Sequence, residues 1–423
     1  MSGPLRIAID ARLLSGQYGG VEQVIIGLAH GLSNLGDGDE RYEFLALEGN
    51  EDWLVPYVSG PCSLVSVPRP AEPVTWKHRL VRAFPRVAAA RRRVLGQRQE
   101  PERVLPVPVS DGFVEREGFD VIHFTKQDGF LTAVPSIYHP HDLQHVHLPE
   151  FFSETERQRR DLWYRALCDQ AAVVTVTSKW GKRDLVDSFG MPADKIFVIP
   201  LAPALGAYEP VDSVASDAIL AELGVSGPFA FYPAQTWPHK NHIRLIEAIA
   251  RLRAEGVDAS LVCSGRKNEH FAQIERTIEA LGVGDAVRFV DFVEPAQLQV
   301  LYSRARCVMM PTLFEAAGGF GPIAEAFSVG TAVACSNVTS LPEQVGDAAL
   351  LFDPLSVEAI ADVLERLWTD DSLRTELAAR GHERIRAYSW DRVARTFRAH
   401  YRRIAGRVLD ATDTAFVAQD TEF

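Results

Sequence analysis

Short apolar runs alternate with helical windows along almost the whole of this 423-residue chain, and that alternation restricts the fold more than any other feature. Residues 7–9, 121–124, 173–177, 229–232, 261–263 and 287–290 have strand character. Between them lie windows with apolar residues at helical spacing, at 21–35, 154–172, 243–252, 271–281 and 357–367. Strands that take turns with helices must be joined by crossovers, so the pattern predicts α/β architecture with parallel sheets covered by helices on both faces. It pauses at about 203–228, where turn residues precede a short helix and a fresh strand. A linker there predicts two Rossmann-like halves facing each other across a cleft. Ligands of such sheets bind beyond the carboxyl ends of the strands.

Composition excludes several classes. A net charge of −12 argues against general nucleic-acid affinity. The five cysteines are scattered, so neither a disulfide framework nor a structural zinc site is expected, and a reducing cytoplasm is. No apolar run approaches the ~18 residues of a membrane-spanning helix. The first residues pass directly into a strand, so no signal peptide is expected.

The segment most telling of function runs from Pro311 to Thr331. Apolar residues 307–310 lead into Glu315, three glycines (Gly318, Gly319 and Gly321), Pro322 and Glu325, and then into the apolar run 332–335. This order reads as strand, glycine loop, helix, strand. Glycines let backbone approach a ligand closely, and a helix start offers free N–H groups and partial positive charge to a diphosphate. Two flanking carboxylates suit the hydroxyls of a sugar nucleotide. A plain turn opening an ordinary Rossmann helix would have the same glycines. The continuation Ser336-Asn-Val-Thr-Ser-Leu-Pro-Glu343-Gln-Val-Gly346-Asp347 favours the functional reading.

With that continuation, the segment resembles the donor-site signature of the family-4 retaining glycosyltransferases, which have the GT-B fold. Nine residues separate Glu315 from Glu325, a two-residue insertion relative to the family's usual spacing. The resemblance covers most of the chain, most weakly at 48–118 and 405–423. It implies an acceptor-side domain over 1–208 and a nucleotide-sugar domain over 209–387. A helix over 388–405 would return to the first domain, and a frayed tail would follow over 406–423. It also implies that Glu315 orients the transferred sugar, that Glu325 grips the ribose, and that Gly319, Phe320 and Gly321 approach the diphosphate. Residue Val293, after the strand ending at 290, would hold the base by backbone contacts. Neither metal nor cofactor is expected, the nucleotide sugar being a co-substrate.

Three further motifs fit this frame. The loop Gly16-Gln-Tyr-Gly19-Gly20 lacks dinucleotide-binding spacing; the resemblance places Gly19 and Gly20 near both the donor phosphates and the acceptor, and a tight strand-to-helix turn is the plainer reading. The run His139-Pro-His141-Asp142-Leu-Gln144-His145-Val-His147 invites a metal reading, but nothing completes a familiar ligand set. In the family the residue matching His141 lines the donor sugar near the acceptor. The loop Gln235-Thr-Trp237-Pro-His239-Lys240-Asn241 opens a helix, and Lys240 there suits a phosphate. Relatives often carry an arginine at the position of Gln235 or His239, so Lys240 is left with most of the charge. His239 would add to it only if protonated, and Arg266, after the next strand, would either add charge near the phosphates or stand on a surface loop. Arg165 and the segment from Ser178 to Asp184, with Lys182 and Arg183, are expected near the cleft or on a solvated helix face.

Residues 71–100 carry eight Lys or Arg against two Glu. With their apolar side chains, residues 77–98 suit either a solvated insertion or a helix lying on an anionic membrane. Together these features predict a cytoplasmic, metal-independent hexosyltransferase, with mannose among its candidate sugars, acting on a glycan or lipid-linked acceptor. The lengthened loop and missing arginine leave two alternatives: a non-catalytic sugar-nucleotide-binding subunit and a GT-B sugar-nucleotide epimerase.

Overall fold

A computed structural model describes residues 3–16, 19–69, 105–204, 211–316 and 320–418. The basic segment 71–100 and the glycine-loop residues Ala317, Gly318 and Gly319 lie outside them.

Thirteen strands among the described residues form two parallel sheets. The first holds β1 (Arg6–Asp10), β2 (Arg41–Leu47), β3 (Cys62–Val67), β4 (Val121–Phe124), β5 (Ser136–Tyr138), β6 (Val173–Val176) and β7 (Ile196–Val198). Their spatial order is β3-β2-β1-β4-β5-β6-β7. The second holds β8 (Ala230–Pro233), β9 (Leu261–Ser264), β10 (Val287–Phe289), β11 (Cys307–Met310), β12 (Val333–Ser336) and β13 (Ala349–Phe352), ordered β10-β9-β8-β11-β12-β13. Strands β4, β6, β9, β11 and β12 are buried at every residue, as strands covered on both faces must be. In each sheet the chain builds outward one way and then the other. The reversal falls between β1 and β4 and between β8 and β11, which is where a crevice opens in such sheets.

Each sheet has its own core, and one helix ties the end of the chain back to the first. Helix Trp390–Ile404 presents Trp390, Val393, Ala394, Phe397 and Tyr401 at helical spacing to the first core. It lies on helix Gly20–Ser33, where Gly27 and Gly31 make room for it. A Cβ on Gly27 would stand 1.9 Å from the Trp390 ring. The Trp390 indole donates to the Pro203 carbonyl at 3.0 Å, and the Tyr401 hydroxyl pairs with His123 Nδ1 at 2.7 Å.

The expected frayed tail is corrected in part. Residues Ala411–Ala418 form a further helix. Its buried Asp413 pairs with Arg402 at 2.8 Å, and Arg402 also meets buried Glu40 at 2.6 Å. Charge pairing, not an apolar stripe, holds it. Arg165 lies on a helix face partly open to solvent. It pairs with Asp161 and donates to the Ser188 and Phe189 carbonyls, closing the carboxyl end of helix Lys179–Phe189.

Candidate active site

The loops that leave β8 and β11 bring together two residues 75 positions apart. Lys240 Nζ forms an ion pair with the buried carboxylate of Glu315. The Lys240 loop is fixed by its own neighbours. The Tyr232 hydroxyl donates to the Lys240 carbonyl at 2.8 Å, and the Leu313 N–H donates to the His239 carbonyl at 2.7 Å. Asn241 then turns the chain with φ of 61°, and its amide donates to the carbonyls of Pro311 and Pro354, both at 2.8 Å. Helix His242–Ala254 begins directly after it. Asn241 was not singled out from sequence; an Asn after Lys before a helical period was the available signal.

Glu315 is held just as closely. Its carbonyl accepts the hydroxyls of Thr339 and Ser340, and its N–H donates to Thr339 Oγ1 at 3.1 Å. Thr339 has φ of 51°, an uncommon value for a β-branched residue. The non-glycine residues with positive φ among those described are His141, Asn241, Asp291 and Thr339. All four follow carboxyl ends of strands, and strain of this kind collects at functional sites.

Burial shifts the titration of two candidates. His239 is pushed down to about 2 by burial, with Lys240 beside it, which favours its neutral form. Burial pushes Glu325 up to about 7, with the Tyr302 hydroxyl as its hydrogen-bonding partner. Glu325 lies on helix Phe320–Ser328, whose first turn includes Gly321. Gly319 lies outside the described residues, together with most of the inserted loop.

On the opposite side, Gly19 caps helix Gly20–Ser33 with φ of 51°, and a Cβ on it would lie 3.1 Å from the Gln235 amide nitrogen. A Cβ on Gly20 would meet open space. The glycine loop is anchored by Glu22, which accepts from Ser15 Oγ and the Gly16 N–H, both at 2.8 Å. Beneath it, burial opposes ionisation of Asp10, yet Lys126 and Arg12 hold its carboxyl at about 2.

The histidine run does not converge. His141 donates from Nε2 to the Thr125 carbonyl at 2.9 Å, which leaves Nδ1 as its lone-pair nitrogen. It stacks on buried His139 at 4.0 Å, and burial lowers both. His145 packs edge-on against Tyr164. His147 pairs with Asp184 at 2.7 Å, which raises its pKa. Among the described residues no group of three or more His, Cys, Asp or Glu is placed to hold a metal ion.

The remaining donor-side candidates sit on one platform. Gly265, with φ of 122°, approaches the Ala234 backbone so closely that a Cβ would lie 2.6 Å from it. Its N–H donates to the Asp291 carbonyl at 2.7 Å, joining the loops after β8, β9 and β10. Arg266 is exposed, Val293 is buried in the second core, and Phe292 between them and the first sheet is 52% exposed.

This geometry meets the comparisons with known proteins. Residues 19–202 match a model described as a glycosyl transferase 4-like domain, and residues 222–384 match one described as glycosyl transferases group 1. The chain belongs to this glycosyltransferase family. It is 30% identical over 254 residues to the O-antigen chain mannosyltransferase B of Escherichia coli, covering 59% of this chain and 66% of that protein. It is 28% identical to D-inositol 3-phosphate glycosyltransferase of Corynebacterium glutamicum over 65% of this chain and 70% of the relative. Among solved structures, Anabaena Alr3699/HepE in complex with UDP and glucose superposes with a TM-score of 0.67 at 17% identity, over 94% of this chain and 99% of that one. Sucrose-phosphate synthase from Thermosynechococcus elongatus does so with a TM-score of 0.67 at 19% identity, over 95% and 99%. The fold is therefore GT-B, and the chain is a GT-B glycosyltransferase. Among the described residues no helix is long and apolar enough to cross a membrane.

Proposed function

We propose that this glycosyltransferase moves a hexose, mannose being the first candidate, from a nucleoside-diphosphate sugar to a hydroxyl of a glycan or lipid-linked acceptor, with retention of configuration and without a metal or cofactor. The Lys240–Glu315 pair at the β8/β11 reversal, opposite Gly19 and Gly20, carries the reading. A mannosyltransferase among the relatives supports the choice of sugar.

The chemistry follows from the charges. Breaking the bond between the anomeric carbon and the diphosphate leaves negative charge on the leaving group, and stabilising it there is the main demand on the site. Lys240 supplies the cation, and the start of helix Phe320–Ser328 at Gly321 supplies N–H groups. An incoming diphosphate takes Lys240 from Glu315. The freed carboxylate then turns to the sugar hydroxyls and supports the oxocarbenium-like centre. His141 lines the face where the acceptor arrives, its lone pair on Nδ1 available to a hydroxyl. The acceptor oxygen bonds to the anomeric carbon on the leaving group's side, and a phosphate oxygen takes its proton. Glu325 binds the ribose, Val293 the base through its backbone, and Gln235, neutral His239 and Arg266 the outer phosphate surroundings.

The test is release of nucleoside diphosphate from a panel of UDP- and GDP-hexoses, before and after exhaustive chelation. Turnover with one donor, unchanged by chelation, is expected. Loss restored by a divalent ion would overturn the metal-free mechanism. Nucleotide binding without turnover of any donor would support a non-catalytic binding subunit.

A further inference from the structure

The segment that bears Glu315 is gripped from both sides of the cleft. Within its own half, Thr339 and Ser340 hold the Glu315 carbonyl. From the other half, the hydroxyls of Thr177 and Ser178 both donate to the next carbonyl, that of Ala316, at 3.3 Å. The preceding residue, Phe314, stacks on His147 at 5.2 Å and meets Trp180 edge-on at 5.7 Å. Three consecutive residues are thus fixed, two of them by first-half groups that follow β5 and β6.

The same helix start receives a carboxylate in return. Helix Lys179–Phe189 begins with N–H groups that have no partner within the helix. Ser178 Oγ takes that of Gly181 at 2.9 Å. Those of Lys179 and Trp180 donate to the two oxygens of Glu343, at 2.7 and 2.9 Å. Glu343 belongs to the second half, on helix Leu341–Val345, three residues beyond Ser340 of the pair that holds Glu315. A carboxylate at a helix amino terminus is favoured by the helix dipole and by charge-assisted hydrogen bonding.

We propose that Glu343 is a positioning residue. It latches the second half onto the first-half helix and thereby keeps Glu315, and with it Lys240, in register with the acceptor side. This rests on the proposed transferase reading, since it gives Glu315 work that depends on both walls. Nucleotide binding uses second-half groups, so the latch should govern transfer and not nucleotide affinity.

The experiment compares wild type with Glu343→Ala and Glu343→Gln. Nucleoside diphosphate affinity is read by calorimetry, donor turnover by diphosphate release, and closure by the radius of gyration in small-angle scattering. Losing two hydrogen bonds to a charged group should lower turnover about tenfold to a hundredfold, with affinity kept within about twofold and a larger radius. Glu343→Gln keeps one acceptor and should fall between. If Glu343→Ala does not fold, Thr177→Val removes only the donation to Ala316 and should lower turnover in the same direction by a smaller factor. Wild-type turnover and radius in these variants would overturn the latch. So would equal losses of affinity and turnover. If wild type turns over no donor, the transferase reading fails separately, while the radius still decides whether Glu343 holds the halves together.

Discussion

On the first-sheet side of the cleft, the loops after β1 and β5 present glycine backbone and the His141 imidazole, which burial keeps from protonating readily. The charges beneath, Asp10 with Arg12 and Lys126, satisfy one another. On the second-sheet side, the loops after β8 and β11 present Lys240 and Glu315, with Glu325 buried behind them. A wall of glycine and neutral imidazole suits an incoming hydroxyl, which brings no charge. A wall with an exchangeable ion pair suits a diphosphate, which can replace one member of the pair. The two sheets have the same topology in outline, so the division of labour comes from the loops and not from the fold.

The most damaging way to test this division is to remove the cation. Lys240→Ala should lower turnover by about a hundredfold or more with folding intact, because one preorganised donor at developing charge is commonly worth about 3 kcal/mol. Steady-state kinetics together with a thermal melt would decide it. Near-native kinetics in a folded variant would move the diphosphate away from this wall.

The two glutamates sharpen the contrast within the charged wall. Glu315→Ala should cost about tenfold or more in turnover and leave nucleoside diphosphate affinity nearly intact. Glu325→Ala should weaken that affinity itself. Contacts made only as the sugar bond breaks register in the rate, whereas uniform contacts register in affinity. Calorimetric titration beside turnover checks both, and the reverse pattern would exchange their roles.

How far these walls could be read from sequence differed for a physical reason. Helices 271–281 and 357–369 were legible because apolar period alone specifies them, and buried parallel strands such as 121–124 because they are continuous apolar runs. The order strand, loop, helix made Lys240 and Glu315 visible as separate motifs. Their pairing was not visible, since nothing local encodes a contact across 75 residues. The same holds for Glu343, whose partners lie 163 and 164 residues away. Helix Ala411–Ala418 escaped notice because Asp413 and Arg402, not an apolar stripe, fix it. The four-histidine run invites a metal reading that its spacing already disfavours. His139 and His141 stack on each other, while His145 turns to Tyr164 and His147 to Asp184.

Glu325 adds a test by pH. Its folded pKa of about 7 stands above the ordinary 4.5, so burial disfavours its charged form. Below pH 4.5 both folded and unfolded chains hold the proton and stability is unaffected. As pH rises to 7 the unfolded chain loses it first, so stability falls by about 3 kcal/mol and then levels off. Glu325→Gln should therefore raise the melting temperature of the free enzyme at pH 8 and change it little at pH 4. Ribose hydroxyls donating to the carboxylate favour its charged form. Wild-type affinity for nucleoside diphosphate should then rise a few-fold from pH 6 to 8, and that rise should vanish in Glu325→Gln. A pH-independent wild-type affinity would separate Glu325 from the ribose.

The smallest effect is expected where the two walls touch. Gln235 is one of the two positions, with His239, at which the resemblance implies an arginine, and its amide faces Gly19 across the cleft. Gln235→Arg would add a second cation to the loop that bears Lys240. The new charge is partly solvated and screened, so the gain in nucleoside diphosphate affinity should be modest, about threefold at low salt. It should shrink as salt is added, and more steeply than the affinity of wild type. Calorimetry at two ionic strengths reads both quantities. A weaker affinity at low salt would mean that the longer side chain disturbs the Gly19 contact. Unchanged affinity would place the diphosphate out of reach of position 235, leaving Lys240 as the charged wall's principal contact with it.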